Sequence, residues 1–279
     1  MAQKTNPTIF QLSPNNSEWD LKYPEYNSEH ISLFLYKTLK IKEYINHTLE
    51  LQNFWVTDCK IEYQNNKLQI YISFFQKKNT KKNDGALNEH NSLINIKQIK
   101  TLLTQSLLIS LSNYNVFKSI TITTKNLNKN FLTNIVKSKQ YNKEFKNLLR
   151  KLKRFFRKTE LQEHIYTLFI VSTTKNSSIL LAKSIKYYFT QNKKGHNFFL
   201  SFLKKSLIIL INSSISKIKG IKIVIKGRLN GKPRSNKTLI RIGMIPLQSL
   251  NNKIDYSETV AYTKNGTLGI KVWIAEKFN

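Results

Sequence analysis

GIKIVIKGRLN (Gly220–Asn230) and IDYSETVAYTKNGTLGIKVWI (Ile254–Ile274) are the stretches whose reading decides the fold. In the first, Ile221, Ile223 and Ile225 alternate with Lys222 and Lys226. A chain patterned in this way is a β-strand that buries one face and points charge out from the other. Between Lys217 and Arg241 there are nine cations (Lys217, Lys219, Lys222, Lys226, Arg228, Lys232, Arg234, Lys237, Arg241) and no Asp or Glu. A rigid, one-sided cationic surface needs a polyanion, so the stretch points to nucleic acid.

Working outward, strands are expected at 221–228, 237–245, 257–264 and 268–275. Gly227, Gly231, Gly243, Gly266 and Gly269 fall at their turns and bulges. Ser178–Thr190 and Asn197–Lys217 read as helices, joined at Lys193-Lys194-Gly195, where Gly195 suits a helix terminus. Two helices followed by four strands predict an α+β domain with both helices on one face of a mostly antiparallel sheet.

Further upstream, Tyr141–Lys158 forms a basic amphipathic pattern. Phe145, Leu148, Leu149, Leu152, Phe155 and Phe156 keep helical spacing, and Lys143, Lys146, Arg150, Lys151, Lys153, Arg154, Arg157 and Lys158 take the positions between them. Glu144 is the only acid there, so i,i+4 ion pairing cannot balance the charge, and the helix calls for phosphate. Ile165–Val171 is an apolar run expected as a strand.

The first half reads as a separate module. Residues 1–27 form an irregular arm, and Leu33, Phe34, Tyr36, Leu39, Ile41, Tyr44 and Ile45 give His30–Leu51 a helical stripe. Residues 54–75 form a hairpin turning at Asn65-Asn66. Gln76–Asn91 is a polar loop, Leu93–Leu111 an apolar helix, and Val116–Thr123 a strand. The order helix, strand, strand, loop, helix, strand suits a KH-like RNA-binding module, whose GXXG loop grips the backbone. This loop has Gly85 but no GXXG, and Lys77, Lys78, Lys81 and Lys82 take the clamp's place.

The 279 residues carry 46 Lys or Arg against 16 Asp or Glu, a net charge of +30. Self-repulsion on that scale is relieved where phosphates neutralise it and release counterions. Cys59 is the only cysteine, so no internal disulfide or cysteine zinc cluster forms. The five histidines lack metal-ligand spacing. No secretory signal opens the chain, and no apolar run approaches the roughly 20 residues of a membrane span, so no membrane partner is expected. The acids Asp58 with Glu62, and Asp255 with Glu258, are isolated pairs, and Asp255 is expected in a structural turn or a contact with a neighbour. There is no Ser-His-Asp set, P-loop or dinucleotide fingerprint. No catalytic residue, metal or cofactor is therefore expected.

The block GIKIVIKGRLNG with IPLQSLNNKIDYSETVAYTKNGTLGIKVWI closely resembles the end of the ribosomal protein S-three family, universal in the head of the small subunit. MAQKTNP and LKIKEYI resemble the family's amino terminus and first helix, and Ala182, Ile185, Phe199, Lys204 and Lys205 fall where its second-domain helices carry similar residues. The resemblance implies an α+β protein. Its parts would be an arm (1–29), a type II KH-like domain (30–125), a basic helical insertion without a family counterpart (126–176) and a carboxy-terminal domain (177–279). It also implies binding to small-subunit rRNA beside the channel where mRNA enters, with neighbours from families S-ten, S-fourteen and S-two. Leu200 and Ser201 stand where members usually carry Arg.

The expected RNA contacts are Lys4, Asn6, Lys77, Lys78, Arg150, Lys151, Arg154, Arg157, Lys204, Lys205, Lys222, Lys226, Arg228, Lys232, Arg234 and Arg241. A second reading is a free KH-type mRNA-binding regulator. The dominance of Lys, Asn and Ile suggests an AT-rich genome, and the family-like start at residue 1 leaves no import sequence. Both point to synthesis inside an organelle, with the mitochondrion expected first, the plastid second and an AT-rich bacterium third.

Overall fold

The computed structural model describes residues 6–11, 19–24, 29–64, 67–77, 119–128, 139–155, 159–175, 177–192, 195–229, 236–249 and 252–277, with Asn27, Thr101, Gln105 and Pro233 as single positions. The chain is α+β and divides into two compact units, Glu18–Leu127 and a second made of Met1–Ser17 with Asn128–Asn279.

In the first unit, strands β1 (Leu21–Lys22), β2 (Phe54–Gln64), β3 (Lys67–Gln76) and β4 (Ser119–Asn126) lie side by side in that order. β1 is parallel to β2, β2 antiparallel to β3, and β3 parallel to β4. Helix α2 (His30–Leu51) buries Thr38, Ile41, Ile45 and Leu49. These residues recur every three or four positions, so they share the face that meets Phe54, Val56, Ile61, Tyr63, Leu68, Ile70, Ile72 and Phe74 of the sheet. Asn53 adopts φ 61 between α2 and β2, a left-handed conformation that asparagine tolerates and that reverses the chain within one step.

Core positions on β2 change parity from Phe54 and Val56 to Ile61 and Tyr63. A bulge between Val56 and Asp58 makes that possible, because one extra residue moves the rest of the strand to the opposite face. The displaced Thr57 is satisfied by donating its hydroxyl to Ser73 O at 3.0 Å.

The expected helix His30–Leu51 and the hairpin match the structure, and Gln64 pairs directly with Lys67 across a two-residue connection. The fourth strand is described at Ser119–Asn126, running three residues past the expected end at Thr123, and the expected start at Val116 lies outside the described residues. The expected turn residues Asn65 and Asn66, the loop from Lys78 and the helix Leu93–Leu111 lie outside the described residues, apart from Thr101 and Gln105, which are helical.

In the second unit, β5 (Ile218–Lys226), β6 (Lys237–Gly243), β7 (Ile254–Thr263) and β8 (Gly266–Glu276) form an antiparallel sheet in the order β6-β5-β8-β7. Ile221, Ile223, Ile225, Ile270, Val272 and Ile274 point to one face. There α5 (Ser178–Gln191) packs on β7 and β8, and α6 (His196–Ile211) packs on β5 and β6. Two further helices, α3 (Lys139–Phe155) and α4 (Thr159–Thr173), pack on this pair as a third layer. A ring cluster knits the helices: Tyr188 and Phe199 stack with centroids 3.7 Å apart, and His164 meets both edge-on. A short helix α1 (Pro7–Gln11) lies against β7, so part of the expected irregular arm is ordered there.

Two expectations are corrected. Ile165–Val171 is helical, part of α4. The run looks the same in a strand and in a helix enclosed on most sides. Leu161, Ile165, Leu168 and Ser172 are buried at helical spacing, and Ile170 and Val171 are buried as well. The second domain helix ends at Ile211, not Lys217. Serines hydrogen-bond their own backbone and favour turns. Here Ser213 bonds back to Leu210 O, Ser216 Oγ accepts from Ile218 N–H at 3.2 Å, and Lys217 N–H reaches Ser172 O on α4 at 2.9 Å. The basic helix runs from Lys139 to Phe155, two residues earlier than expected at its start.

Candidate nucleic-acid interface

Because β5 alternates strictly, the residues that do not meet α5 and α6 share the opposite face of the sheet. Lys222 lies directly opposite Arg241, and Lys226 directly opposite Lys237. Val224 and Leu239 separate these two cation pairs. Like charges facing each other across a ladder are destabilising. The same rows continue onto β8 and β7 with Trp273 and Tyr256, Lys271 and Glu258, then Gly269 and Val260. Glu258 is the only acid in those rows on this face, and it is already engaged by Lys271 at 3.1 Å and by the Tyr256 hydroxyl at 2.8 Å. These two donors hold the Glu258 carboxyl below its ordinary range.

One end of this face is covered and the other is open. Ile245 and Leu247, from the connection between β6 and β7, pack with Val224, Ile254, Trp273 and Tyr256. Lys222 sits over the Trp273 ring, 4.9 Å from its centroid, so its stem is packed and its charge is oriented. Towards the other end, Lys226, Lys237, Leu239, Val260 and Tyr262 are exposed.

The turn leaving β5 explains the sequence Gly227-Arg228-Leu229. Gly227 has φ 134, and its N–H donates to Asn236 O at 3.2 Å. A β-carbon at Gly227 would stand 2.7 Å from Thr267 O, so only glycine fits. Leu229 is buried. Arg228, between a glycine pinned to β8 and an anchored leucine, is exposed at the open end of the sheet.

The other expected contacts are dispersed. Asn6 Oδ1 accepts from Thr8 N–H at 3.0 Å and from Thr8 Oγ1 at 2.7 Å, which caps α1. Lys77 is half-buried at the end of β3, in the first unit. Arg150 and Lys151 are exposed on α3, and Lys204 and Lys205 are exposed on α6, all on the helical side of the sheet. Arg154 lies within α3, although its side chain is not among those described. Lys4, Lys78, Arg157, Lys232 and Arg234 lie outside the described residues. Lys237 and Lys271 on the open face, and Trp273 packed beneath Lys222 at the covered end, are not among the contacts expected from sequence. The alternation KTLIRIG would place Lys237 and Arg241 on one side.

Among the described residues, no group of three or more His, Cys, Asp or Glu is arranged to hold a metal ion. Among them, too, no helix is long and apolar enough to cross a membrane.

Residues 202–274 match the family model described as ribosomal protein S3, C-terminal domain. A small ribosomal subunit protein uS3c of Euglena longa is 25% identical over 276 residues, covering 98% of this chain and 99% of that one. The chain is thus similar to ribosomal protein S3, over residues 202–274 to that family's C-terminal domain and, at lower identity, over nearly its whole length to one relative. The S3 relatives also include uS3c of Chaetosphaeridium globosum, 55% identical over 58 residues (21% of this chain, 23% of the relative). The uS3 of Aquifex pyrophilus is 48% identical over 56 residues (20% and 24%). These two matches span about a quarter of each relative. By name, these relatives are proteins of the small ribosomal subunit.

Proposed function

We propose that this chain binds small-subunit rRNA through the open face of its second sheet and the Gly227–Leu229 turn. The observation that carries the reading is the register. Lys222 with Arg241 and Lys226 with Lys237 are held opposite each other, with no unengaged acid in the same rows. A backbone phosphate lying between two such cations converts a repulsion into two charge-assisted contacts. Such contacts recognise the shape and charge of RNA rather than its base sequence.

Around that core stand the finer elements of the reading. The domain plan is an arm (1–29), a KH-like domain (30–125), a basic segment (126–176) and a carboxy-terminal domain (177–279). Lys204 and Lys205, exposed on α6, face the channel where mRNA enters. The neighbours are head proteins of families S-ten, S-fourteen and S-two. The ribosome is organellar. The sequence favours the mitochondrion and the uS3c relatives favour the plastid, and fractionation with antibody detection decides between them.

The test is the salt dependence of binding to the chain's own small-subunit rRNA. Lys226→Ala with Arg228→Ala should flatten the slope of log K against log[salt] by about 0.7–0.9 for each phosphate that is no longer neutralised. An unchanged slope would show that these side chains do not meet RNA.

A further inference from the structure

The basic helix α3 has two unlike faces, and the structure accounts for one of them. Its apolar side is occupied within the protein. Phe145 meets Phe169 of α4 edge-on at 4.8 Å, Leu148 and Leu149 are half-buried, and Leu152 is completely buried. Its only acid, Glu144, accepts a hydrogen bond from the Ser214 hydroxyl just beyond α6. On the outer side Lys143, Lys146, Arg150 and Lys151 are all exposed, and among the described residues no carboxylate pairs with any of them. Lys143 to Lys146 and Lys146 to Arg150 are spaced i,i+3 and i,i+4, so these cations are neighbours that repel each other along the helix.

The sequence favours phosphate for this helix, although a basic amphipathic helix can also lie on a membrane surface. The packing separates the two. A helix lying in a bilayer interface must bury its apolar face among acyl chains. In α3 that face is already buried against α4 and α6. What remains available is a ridge of charge spanning about 12 Å from Lys143 to Lys151, at about 1.5 Å per residue. A ridge of that kind, without apolar surface, fits a row of phosphates.

We propose that the outer face of α3 (Lys143, Lys146, Arg150, Lys151) is a second RNA-backbone contact, separate from the open sheet face. It lies wholly outside residues 202–274, which match the S3 family model. It rests on the ribosomal reading for the identity of the RNA, but it uses none of the same side chains. It also explains why a self-repelling helix is retained: docked on the core by one face, it holds four cations in line for an external anion.

The experiment compares two double variants of the full chain. One is Lys146→Ala with Arg150→Ala, the other Lys226→Ala with Arg228→Ala. Each is titrated with the chain's small-subunit rRNA over a salt series, and separately with vesicles of phosphatidylglycerol and phosphatidylcholine. Helix content is followed by circular dichroism to show that the variants stay folded. The α3 variant should keep its helix content and flatten the salt slope by about 1.4–1.8, the sum of two phosphates. It should weaken vesicle binding no more than the sheet variant does, since every surface cation is attracted to an anionic bilayer. A slope equal to that of the unsubstituted chain overturns the α3 contact. So does a loss of vesicle binding without a change of slope, which would assign the face to a membrane. If the sheet variant flattens the slope and the α3 variant does not, this inference fails alone. If neither does, the rRNA reading fails with it.

Discussion

Asp255 on β7 accepts the backbone N–H of Ser178 at 2.6 Å, across 77 residues of chain. Ser178 is the first residue of α5, and the N–H groups of a first helical turn have no partner inside the helix. The carboxylate therefore caps α5 from the sheet and fixes where that helix begins on it. Asp255 thus lies within a strand and not in the turn expected from sequence, and its contact is this helix cap.

The cap has a consequence for pH. Burial pushes the Asp255 carboxyl up to about 6, and the Ser178 hydrogen bond only partly opposes it. An unfolded aspartate titrates near 3.9. Between about pH 4 and 6 the folded chain therefore holds the proton that the unfolded chain releases. The stability this group contributes is complete below about pH 4 and is lost as pH rises through about 6. Asp255→Asn keeps an oxygen acceptor for Ser178 and carries no charge. In urea titrations at fixed salt, the difference in midpoint between the two proteins should shift in favour of the asparagine variant as pH rises from 4 to 7. A difference that stays constant across that range would mean that Asp255 titrates as it does in the unfolded chain.

The Gly227 turn makes a steric demand. Gly227→Ala places a β-carbon at φ 134 and within 2.7 Å of Thr267 O. Strain of this kind costs about 1–3 kcal/mol. The variant should unfold at lower urea and bind rRNA more weakly, because Arg228 is positioned by the same turn. Gly266, which also has positive φ (122), has nothing within 4 Å of its β-carbon position and serves as the control for backbone strain without a clash. Equal effects of alanine at the two sites would remove the close approach to β8 from the explanation.

Leu152 tests whether α3 is held by its apolar face. It is completely buried, and truncating a buried leucine to alanine costs about 2–5 kcal/mol. Leu152→Ala should raise amide exchange in α3 by orders of magnitude while the β5–β8 sheet keeps its protection. Exchange that rises equally in the sheet would show that α3 is part of one cooperative unit with it.

Much of the fold is legible from residues whose environment repeats with a simple period. Ile221, Ile223 and Ile225 alternate because one face of β5 meets two helices and the other does not, and so the strand and its charged face are read together. The helix α2 is legible from its apolar repeat, but Leu33, Tyr36, Leu39 and Tyr44 of that repeat are exposed, and Thr38, Ile41, Ile45 and Leu49 take the core face. Where burial is nearly complete the period disappears, and Ile165–Val171 reads as a strand although it is the enclosed helix α4. The bulge at Thr57 leaves only a change of parity between Val56 and Ile61, which no turn residue announces. The pairing of Lys222 with Arg241 and of Lys226 with Lys237 needs the register, and register depends on long-range packing between residues eleven or more positions apart in sequence. Asn6 is expected as an RNA contact, and in the structure its side-chain oxygen caps α1, a role the sequence reading did not name.

The most direct measurement is sedimentation of the tagged chain from its own cells at physiological salt, with and without ribonuclease. The chain should run in the small-subunit fraction and be released, with loss of solubility, when the RNA is digested. A chain found at the top of the gradient as a soluble monomer, unaffected by ribonuclease, would contradict rRNA binding as the reason for its charge.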